Sequence, residues 1–163
     1  MQTPINPKAA SAATTKAKIS KPVLQRGSKG TAVVELQKLL GHWEIYTDTL
    51  DGIFDLPVET AVKAFQHRVF LKEDGIVGEV TWQALYSGAP VNMPVLQRGS
   101  LLGQSVLTVQ RVLQIAGFYG GNLDGNFGLK TEEAVRAFQK YNGLIADGIV
   151  GSRTWHALSK KPH

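Results

Sequence analysis

The sequence predicts an all-α protein made of two tandem three-helix bundles with long structured loops. A shift of 73 positions aligns residues 30–85 with residues 103–158 without a gap, and nearly half of the aligned positions are identical. Each copy has three stretches with apolar residues at helical spacing. The chain has no cysteine, so helix packing rather than disulfides must stabilise units of this size.

The repeat also sets the predicted domain organisation. Residues 1–21 are rich in Ala, Ser, Thr and Lys, and they have too few large apolar side chains to offset the entropy cost of ordering. A period of 73 residues is a small folded unit rather than a solenoid repeat. We therefore expect a disordered basic tail at 1–21, module 1 at 22–86, a linker at 87–93, module 2 at 94–159 and a short tail at 160–163.

The first helix of module 1 is predicted to run from Thr31 to near Gly41, where apolar residues recur at helical spacing. Ser28 or Thr31 is available as its N-cap. The following stretch has no sustained period and contains Asp51-Gly52, which indicates a structured loop with a turn.

The second helix is predicted to begin after Asp55, which can cap it, with Pro57 in the first turn, where proline is tolerated. A second Asp-Gly turn leads to a short third helix that carries Trp82. Phe65 and Trp82 have helical spacing with apolar neighbours, so we expect them to be core residues, like their copies Phe138 and Trp155. Gln66 and its copy Gln139 are expected to satisfy loop backbone groups.

The tails and the modules differ in net charge, and the tails are the basic part. The chain carries 18 basic and 13 acidic residues, a formal net charge of +5. Six of the lysines lie in the two tails, which leaves 12 basic against 13 acidic residues in the rest. A basic face that tracks nucleic-acid phosphates is therefore not supported. No segment reaches the roughly 18 apolar residues of a membrane span, and the first residues lack the apolar stretch of a secretory signal.

Four sequence motifs carry a resemblance to a known family. Module 2 contains V-L-T-V-Q at 106–110, D-G-N-F-G at 124–128, T-E-E-A-V-R-A-F-Q at 131–139 and L-I-A-D-G-I-V-G-S-R-T-W-H-A-L at 144–158, and module 1 has copies of each. As a set they resemble the three-helix peptidoglycan-binding module found beside many bacterial cell-wall hydrolases. Module 1 departs from the pattern twice, with Asp55 in place of glycine and Val58 in place of threonine.

The resemblance implies noncovalent recognition of peptidoglycan, through its glycan strand or its stem peptide, without a cofactor. A cell-wall hydrolase is the partner that it suggests. It also implies the cell wall, periplasm or extracellular space, but the sequence itself leaves the localisation unknown. The alternative function is a protein–protein scaffold module that keeps the fold without the wall ligand.

We expect a shallow polar cleft where the tyrosine, the first Asp-Gly loop and the start of the second helix meet in each module. The aspartates in these loops have turn formation as their structural interpretation. The predicted ligand-binding residues are Tyr46, Asp51, Phe54, Tyr119, Asn122, Asp124, Asn126, Phe127 and Thr131. Between Pro94 and Leu158 there are 6 basic and 4 acidic residues, against 6 and 9 between Pro22 and Tyr86. Module 2 is therefore expected to be the better site for an anionic wall polymer.

No catalytic constellation is recognised in the sequence. A glycosidase needs two carboxylates held in a cleft, but Asp51 and Asp74 each lie in a turn motif. The four histidines are scattered and none recurs between the copies, unlike the clustered ligands of a zinc peptidase. The sequence thus predicts that the protein is not an enzyme and has no catalytic or metal-binding residues.

Overall fold

The computed structural model describes residues 20–163, and this range contains six α-helices and no strand. The helices are α1 Thr31–His42, α2 Leu56–Arg68, α3 Glu79–Ser87, α4 Gly103–Ile115, α5 Leu129–Tyr141 and α6 Ser152–Ser159. The predicted class, all-α with two tandem three-helix bundles, is confirmed. Of the tail predicted at 1–21, only Ser20 and Lys21 lie within the described residues.

Each module has its own hydrophobic core. The core of module 1 draws on residues between Leu24 and Leu85, and the core of module 2 on residues between Leu96 and Leu158. The predicted aromatic core residues are all fully buried, with exposed fractions of 0–1%: Phe65, Trp82, Phe138 and Trp155. Their role as core anchors is confirmed.

A tryptophan of the third helix fastens the extended segment that enters each module. In module 1, Trp82 Nε1 donates a hydrogen bond to the carbonyl of Pro22 at 2.9 Å, and Leu24 pairs antiparallel with Val77. Module 2 repeats the arrangement: Trp155 Nε1 donates to the carbonyl of Pro94 at 2.8 Å. The beginning and the end of each module are thus held together.

The predicted caps of the first two helices have different outcomes. Asp55 caps α2 as predicted, because its Oδ1 accepts the backbone N–H of Val58 at 3.3 Å. The prediction for α1 is wrong, since Gly30 occupies the N-cap position and no side chain caps this helix. Ser28 Oγ instead accepts the N–H of Gln25 at 3.1 Å, which closes the preceding turn.

The two modules touch, as the short linker predicts. Phe70, just after α2, packs its ring edge-on against Trp155 of module 2, with 5.4 Å between the ring centroids. The ring of His163 stacks on Phe70 at 4.5 Å and on His67 at 4.9 Å. In residues 20–163, no helix is long and apolar enough to cross a membrane.

Helix α2 has the side chain of Asp55 as its N-cap, whereas the corresponding helix α5 has Gly128 at this position and no side-chain cap. The two positions therefore allow matched substitutions. Asp55→Ala removes a side-chain cap and should lower the free energy of unfolding by about 1 kcal/mol. Gly128→Asp should raise it by a few tenths to about 1 kcal/mol, because Gly128 has extended backbone angles and a Cβ there would meet nothing within 4 Å. Urea denaturation followed by circular dichroism measures both changes. Destabilisation by Gly128→Asp would contradict the capping account.

Candidate functional site

The polar loops are held by a buried glutamine, in an arrangement that we call the glutamine clamp. In the clamp of Gln139, Nε2 donates to Asp147 Oδ1 at 3.0 Å, to the carbonyl of Ile149 at 2.9 Å and to Thr154 Oγ1 at 3.0 Å. The Oε1 atom of Gln139 accepts the N–H of Gly148 at 2.9 Å. One side chain therefore binds an entire Asp-Gly turn and the start of the next helix.

The clamp occurs four times, twice in each module. The four glutamines are 0–1% exposed: Gln37, Gln66, Gln110 and Gln139. In every copy Nε2 donates to the aspartate that precedes the glycine, and Oε1 accepts that glycine's N–H. A buried amide is costly unless it is hydrogen-bonded, so the glutamines and the loops fix each other. The expected role of Gln66 and Gln139 in satisfying loop backbone groups is confirmed.

Each aspartate also closes its own turn. Its Oδ1 accepts the backbone N–H two residues further on, at 2.9–3.1 Å in all four loops: Asp51, Asp74, Asp124 and Asp147. Hydrogen bonds to the charged form lower a carboxyl pKa. The pKa of Asp51 is lowered mainly by the Gln37 amide, and the pKa of Asp124 mainly by the N–H of Asn126.

One of the four clamps lacks its hydroxyl. Module 2 has Thr131 at the start of α5, and Gln110 Nε2 donates to its Oγ1 at 3.0 Å. The corresponding residue in module 1 is Val58, which is fully buried. Gln37 Nε2 therefore donates to Tyr46 Oη at 3.2 Å, to Asp51 Oδ1 at 3.0 Å and, at a long 3.5 Å, to the carbonyl of Ile53. This departure loosens the first clamp of module 1.

The predicted ligand-binding residues divide into a buried group and an exposed group. Buried are Tyr46, Phe54, Tyr119, Phe127 and Thr131, and exposed are Asp51, Asn122, Asp124 and Asn126. The tyrosines support the loops from below, because Tyr46 and Tyr119 donate their hydroxyls to the carbonyls of Thr49 and Asn122 at 2.8 and 2.6 Å. The exposed group can meet a ligand without a change in the loops.

Each module has a shallow cleft beside its tyrosine. The module 1 cleft has a volume of about 450 Å³ and is lined by Tyr46, Thr47, Asp48, Thr49, Asp51 and Asp55. The module 2 cleft has a volume of about 350 Å³ and is lined by Phe118, Tyr119, Gly120, Gly121, Lys130, Glu133 and Ala134. Asn122, Asp124 and Asn126 do not line this cavity but lie on the loop that follows Gly121.

The two clefts differ in charge. The module 1 cleft has the carboxylates of Asp48, Asp51 and Asp55, whereas the module 2 cleft has one lysine and one glutamate. Burial, followed by the charge of Asp51, raises the pKa of Tyr46, so this phenol stays a hydrogen-bond donor. Sequence reasoning missed Asp48, Lys130 and Glu133. The alignment of the copies does not single them out, because they stand opposite Gly121, Pro57 and Thr60. Their only signal in the sequence is their position beside the predicted loop and helix start.

Among residues 20–163, no group of three His, Asp or Glu side chains comes together as a metal site would require.

The comparison with known families decides which family the two modules belong to. The family model described as "Putative peptidoglycan binding domain" matches residues 29–85 and again residues 103–158. The chain belongs to the peptidoglycan-binding domain family. Both copies of the glutamine-clamped unit lie within the matched ranges.

Two curated relatives are similar to the chain over most of its length, and a solved structure is similar to part of it. It is 38% identical over 151 residues to N-acetylmuramoyl-L-alanine amidase CwlM of Mycobacterium tuberculosis, covering 83% of this chain and 37% of the relative. It is 31% identical over 157 residues to N-acetylmuramoyl-L-alanine amidase CwlL of Bacillus licheniformis, covering 81% and 44%. A solved structure, the SleB N-terminal domain, is 37% identical, with 43% of this chain and 96% of that chain covered and a TM-score of 0.42.

The prediction that the protein is not an enzyme is wrong. Relatives that align with 81–83% of this peptidoglycan-binding chain are named N-acetylmuramoyl-L-alanine amidases. The prediction relied on motifs absent from these 163 residues, and the chain spans 37–44% of the length of those relatives. The absence of a catalytic motif from these 163 residues therefore does not exclude enzymatic activity.

Loss of one clamp should destabilise its module. Gln139→Leu leaves the N–H of Gly148 and the hydroxyl of Thr154 without the amide, and buried groups without partners cost about 1–3 kcal/mol each. We expect the free energy of unfolding of module 2 to fall by about 2–4 kcal/mol. Gln114→Leu, on the exposed side of α4, is the control and should change it by less than about 0.5 kcal/mol. Equal stability of the two variants in urea would contradict the clamp.

The clamped aspartates should make stability depend on acidity. The pKa values of Asp51, Asp124 and Asp147 are lower in the folded protein than the ordinary value of 3.8. The stability they contribute is therefore present above the unfolded pKa and is lost as pH falls through the folded pKa. Asp124→Asn keeps an acceptor oxygen but cannot titrate, so the stability of module 2 should fall less between about pH 4.5 and 2.5. Urea titrations across this range would refute the idea if both proteins lost stability equally.

Proposed function

We propose that the chain binds bacterial cell-wall peptidoglycan noncovalently through both modules, and that this binding serves N-acetylmuramoyl-L-alanine amidase action. The observation that supports binding best is the double match to the peptidoglycan-binding family. Each match contains two clamped Asp-Gly loops with exposed polar groups. The amidase part of the proposal is supported by the names of the relatives that align with most of the chain.

The clamps suit the loops for recognition of a polar polymer. Loop ordering is one of the costs of binding, and a loop that is already held in place avoids most of it. Here the glutamine amides fix the loop backbone from the buried side, so exposed side chains such as Asn122 and Asn126 keep their positions. Each asparagine offers a carbonyl acceptor and two N–H donors to sugar hydroxyls or peptide groups.

We propose module 2 as the stronger site. Wall polymers carry carboxylates and often phosphates, which the three aspartates of the module 1 cleft would repel. Lys130 at the module 2 cleft offers the opposite charge. At ~0.15 M salt, screening acts over roughly 8 Å, so charges inside a cleft still discriminate. Asn122 and Asn126 also replace Thr49 and Ile53 of module 1, which adds two amides to the loop.

The tandem arrangement favours binding to a repetitive polymer. Once one module is bound, the short linker holds the other at roughly millimolar effective concentration, and weak contacts can then combine into a gain of about 100-fold or more. Module 1 thus contributes to wall binding even where its own cleft is the weaker one.

The wall-binding proposal predicts a difference between matched loop variants. Asn122→Ala with Asn126→Ala should weaken cosedimentation with purified insoluble peptidoglycan by about 3- to 10-fold, since two exposed hydrogen-bonding groups are lost while the glutamine of the clamp is kept. Thr49→Ala with Ile53→Ala, the same positions in module 1, should weaken it by less than about twofold. The opposite order would show that module 1 is the stronger site, and no sedimentation of the unchanged protein would refute wall binding.

The amidase proposal requires cleavage of wall amide bonds. Walls incubated with the protein should release new amino groups over time, because hydrolysis of an amide yields an amine and a carboxylate. Amino groups are counted by derivatisation and chromatography, with boiled protein as the control. Walls that bind the protein but gain no amino groups would contradict the amidase part and leave the binding part standing.

A further inference from the structure

Phe70 occupies a position that its own repeat gives to glycine. The shift of 73 residues places it opposite Gly143, and both have left-handed backbones, with φ of 62° and 73°. Residues other than glycine rarely adopt this backbone conformation. A phenylalanine there has an energetic cost that other contacts must offset. The packing of its ring against Trp155 of module 2 and His163 of the tail that follows provides this compensation. Phe70 therefore fixes module 1 against module 2.

A groove opens beside this contact. It has a volume of about 220 Å³ and is lined by His67, Phe70, Leu71 and Glu73 from module 1 and by Thr108, Arg111, Val112 and His163. The side chains of Phe70, Leu71 and Val112 supply apolar surface. At about 30 Å³ per water molecule, the groove has room for about seven waters, which suits one or two small residues better than a disaccharide.

The groove has one cationic side chain, Arg111, that can pair with an anion. Within the part of the chain that the structure describes, the Arg111 guanidinium has no hydrogen bond or salt bridge to another residue, although it lines the groove. Opposite it, His67 Nδ1 lies 2.8 Å from Glu73 Oε2, and Nε2 lies 2.5 Å from the backbone oxygen of His163. The imidazole therefore already has a carboxylate partner in Glu73, whereas Arg111 has none among the described residues. These hydrogen bonds, first to His163 and then to Glu73, raise the pKa of His67.

We propose that this inter-module groove binds the terminal carboxylate of a peptidoglycan stem peptide, with Arg111 as the carboxylate ligand. The inference rests on the proposed wall binding. It adds the stem peptide as a ligand, at a site separate from the clamped Asp-Gly loops. The planar guanidinium suits a carboxylate, because two parallel N–H groups can donate to its two oxygens. The apolar walls accept the methyl groups of alanine residues.

A peptide end fits this groove better than a glycan does. Glycan strands present many hydroxyls and few charges, so they need several polar side chains at matched distances. This groove instead combines a cation with an apolar floor, and the Phe70 ring that would stack on a sugar is already covered by Trp155 and His163. The site exists only while the two modules are in contact, because each supplies one wall.

The probe for the test is N-acetyl-D-alanyl-D-alanine, and its C-terminal amide is the matched control. Titration of the protein, with ¹⁵N–¹H spectra recorded at each step, should shift the amide signals of residues 70–73 and 108–112 with the acid. The amide should cause shifts at least about fivefold weaker, because it lacks the charge that the guanidinium binds. Equal shifts with the two probes, or equal displacement of the acid by inorganic phosphate, would overturn the proposal.

Two variants separate the groove from the rest of the surface. Arg111→Gln should weaken binding of the acid by about fivefold or more. Lys38→Gln, the same position on α1 of module 1 and outside the groove, should leave it unchanged. Both residues are exposed, so the fold should persist, and circular dichroism verifies it. An unaltered affinity of Arg111→Gln would overturn the assignment of the ligand.

Cosedimentation with whole walls keeps this inference separate from the proposed function. If the protein sediments with walls but the acid probe causes no shifts in the groove, the groove proposal fails and wall binding stands. If the protein does not sediment with walls at all, the proposed function fails. Binding of the probe with loss in Arg111→Gln, together with sedimentation, supports both.

Discussion

A buried carboxamide that must find four partners is the constraint on which both modules depend. Each glutamine lies on a core-facing position of a helix, next to apolar neighbours, and water cannot satisfy it there. The Asp-Gly turn supplies a carboxylate, a carbonyl and a glycine N–H at hydrogen-bonding distance. The Asp-Gly turn also needs the glutamine, because the backbone groups of the turn have no partners within a helix. Long loops thereby become as fixed as the helices they connect.

The internal repeat shows which positions this constraint holds and which are free to change. The four glutamines and the four Asp-Gly pairs are the same in both modules, whereas the surfaces around them differ. Val58 in place of threonine weakens one clamp, and the clefts differ in their carboxylates. Phe70 in place of Gly143 converts a loop position into a contact between modules. Two similar folds thus have different surfaces.

Much of the fold was predictable because its signals are local. Apolar spacing and turn residues predicted the helices, and the Asp55 cap and the buried tryptophans followed from the same rules. The N-cap of α1 was not predictable in this way, because the Ser28 hydroxyl accepts the N–H of Gln25 in the preceding turn and Gly30 becomes the N-cap. The site was harder to predict. Tyr119 and Phe127 share a loop with Asn122, and Thr131 lies at the start of α5, but the sequence does not show which of these side chains face the core. The contact of Phe70 with Trp155 joins residues 85 positions apart and has no local signal.

The central claim is that the loops are held from inside by glutamine amides, and hydrogen exchange of four glycines tests it directly. The N–H groups of Gly52, Gly75, Gly125 and Gly148 lie outside the helices but donate to glutamine Oε1 atoms. Native-state exchange followed by NMR should find them protected nearly as well as core helix amides, because they exchange only when the module opens. Exchange at the rate of exposed loop amides such as that of Gly120 would contradict the account.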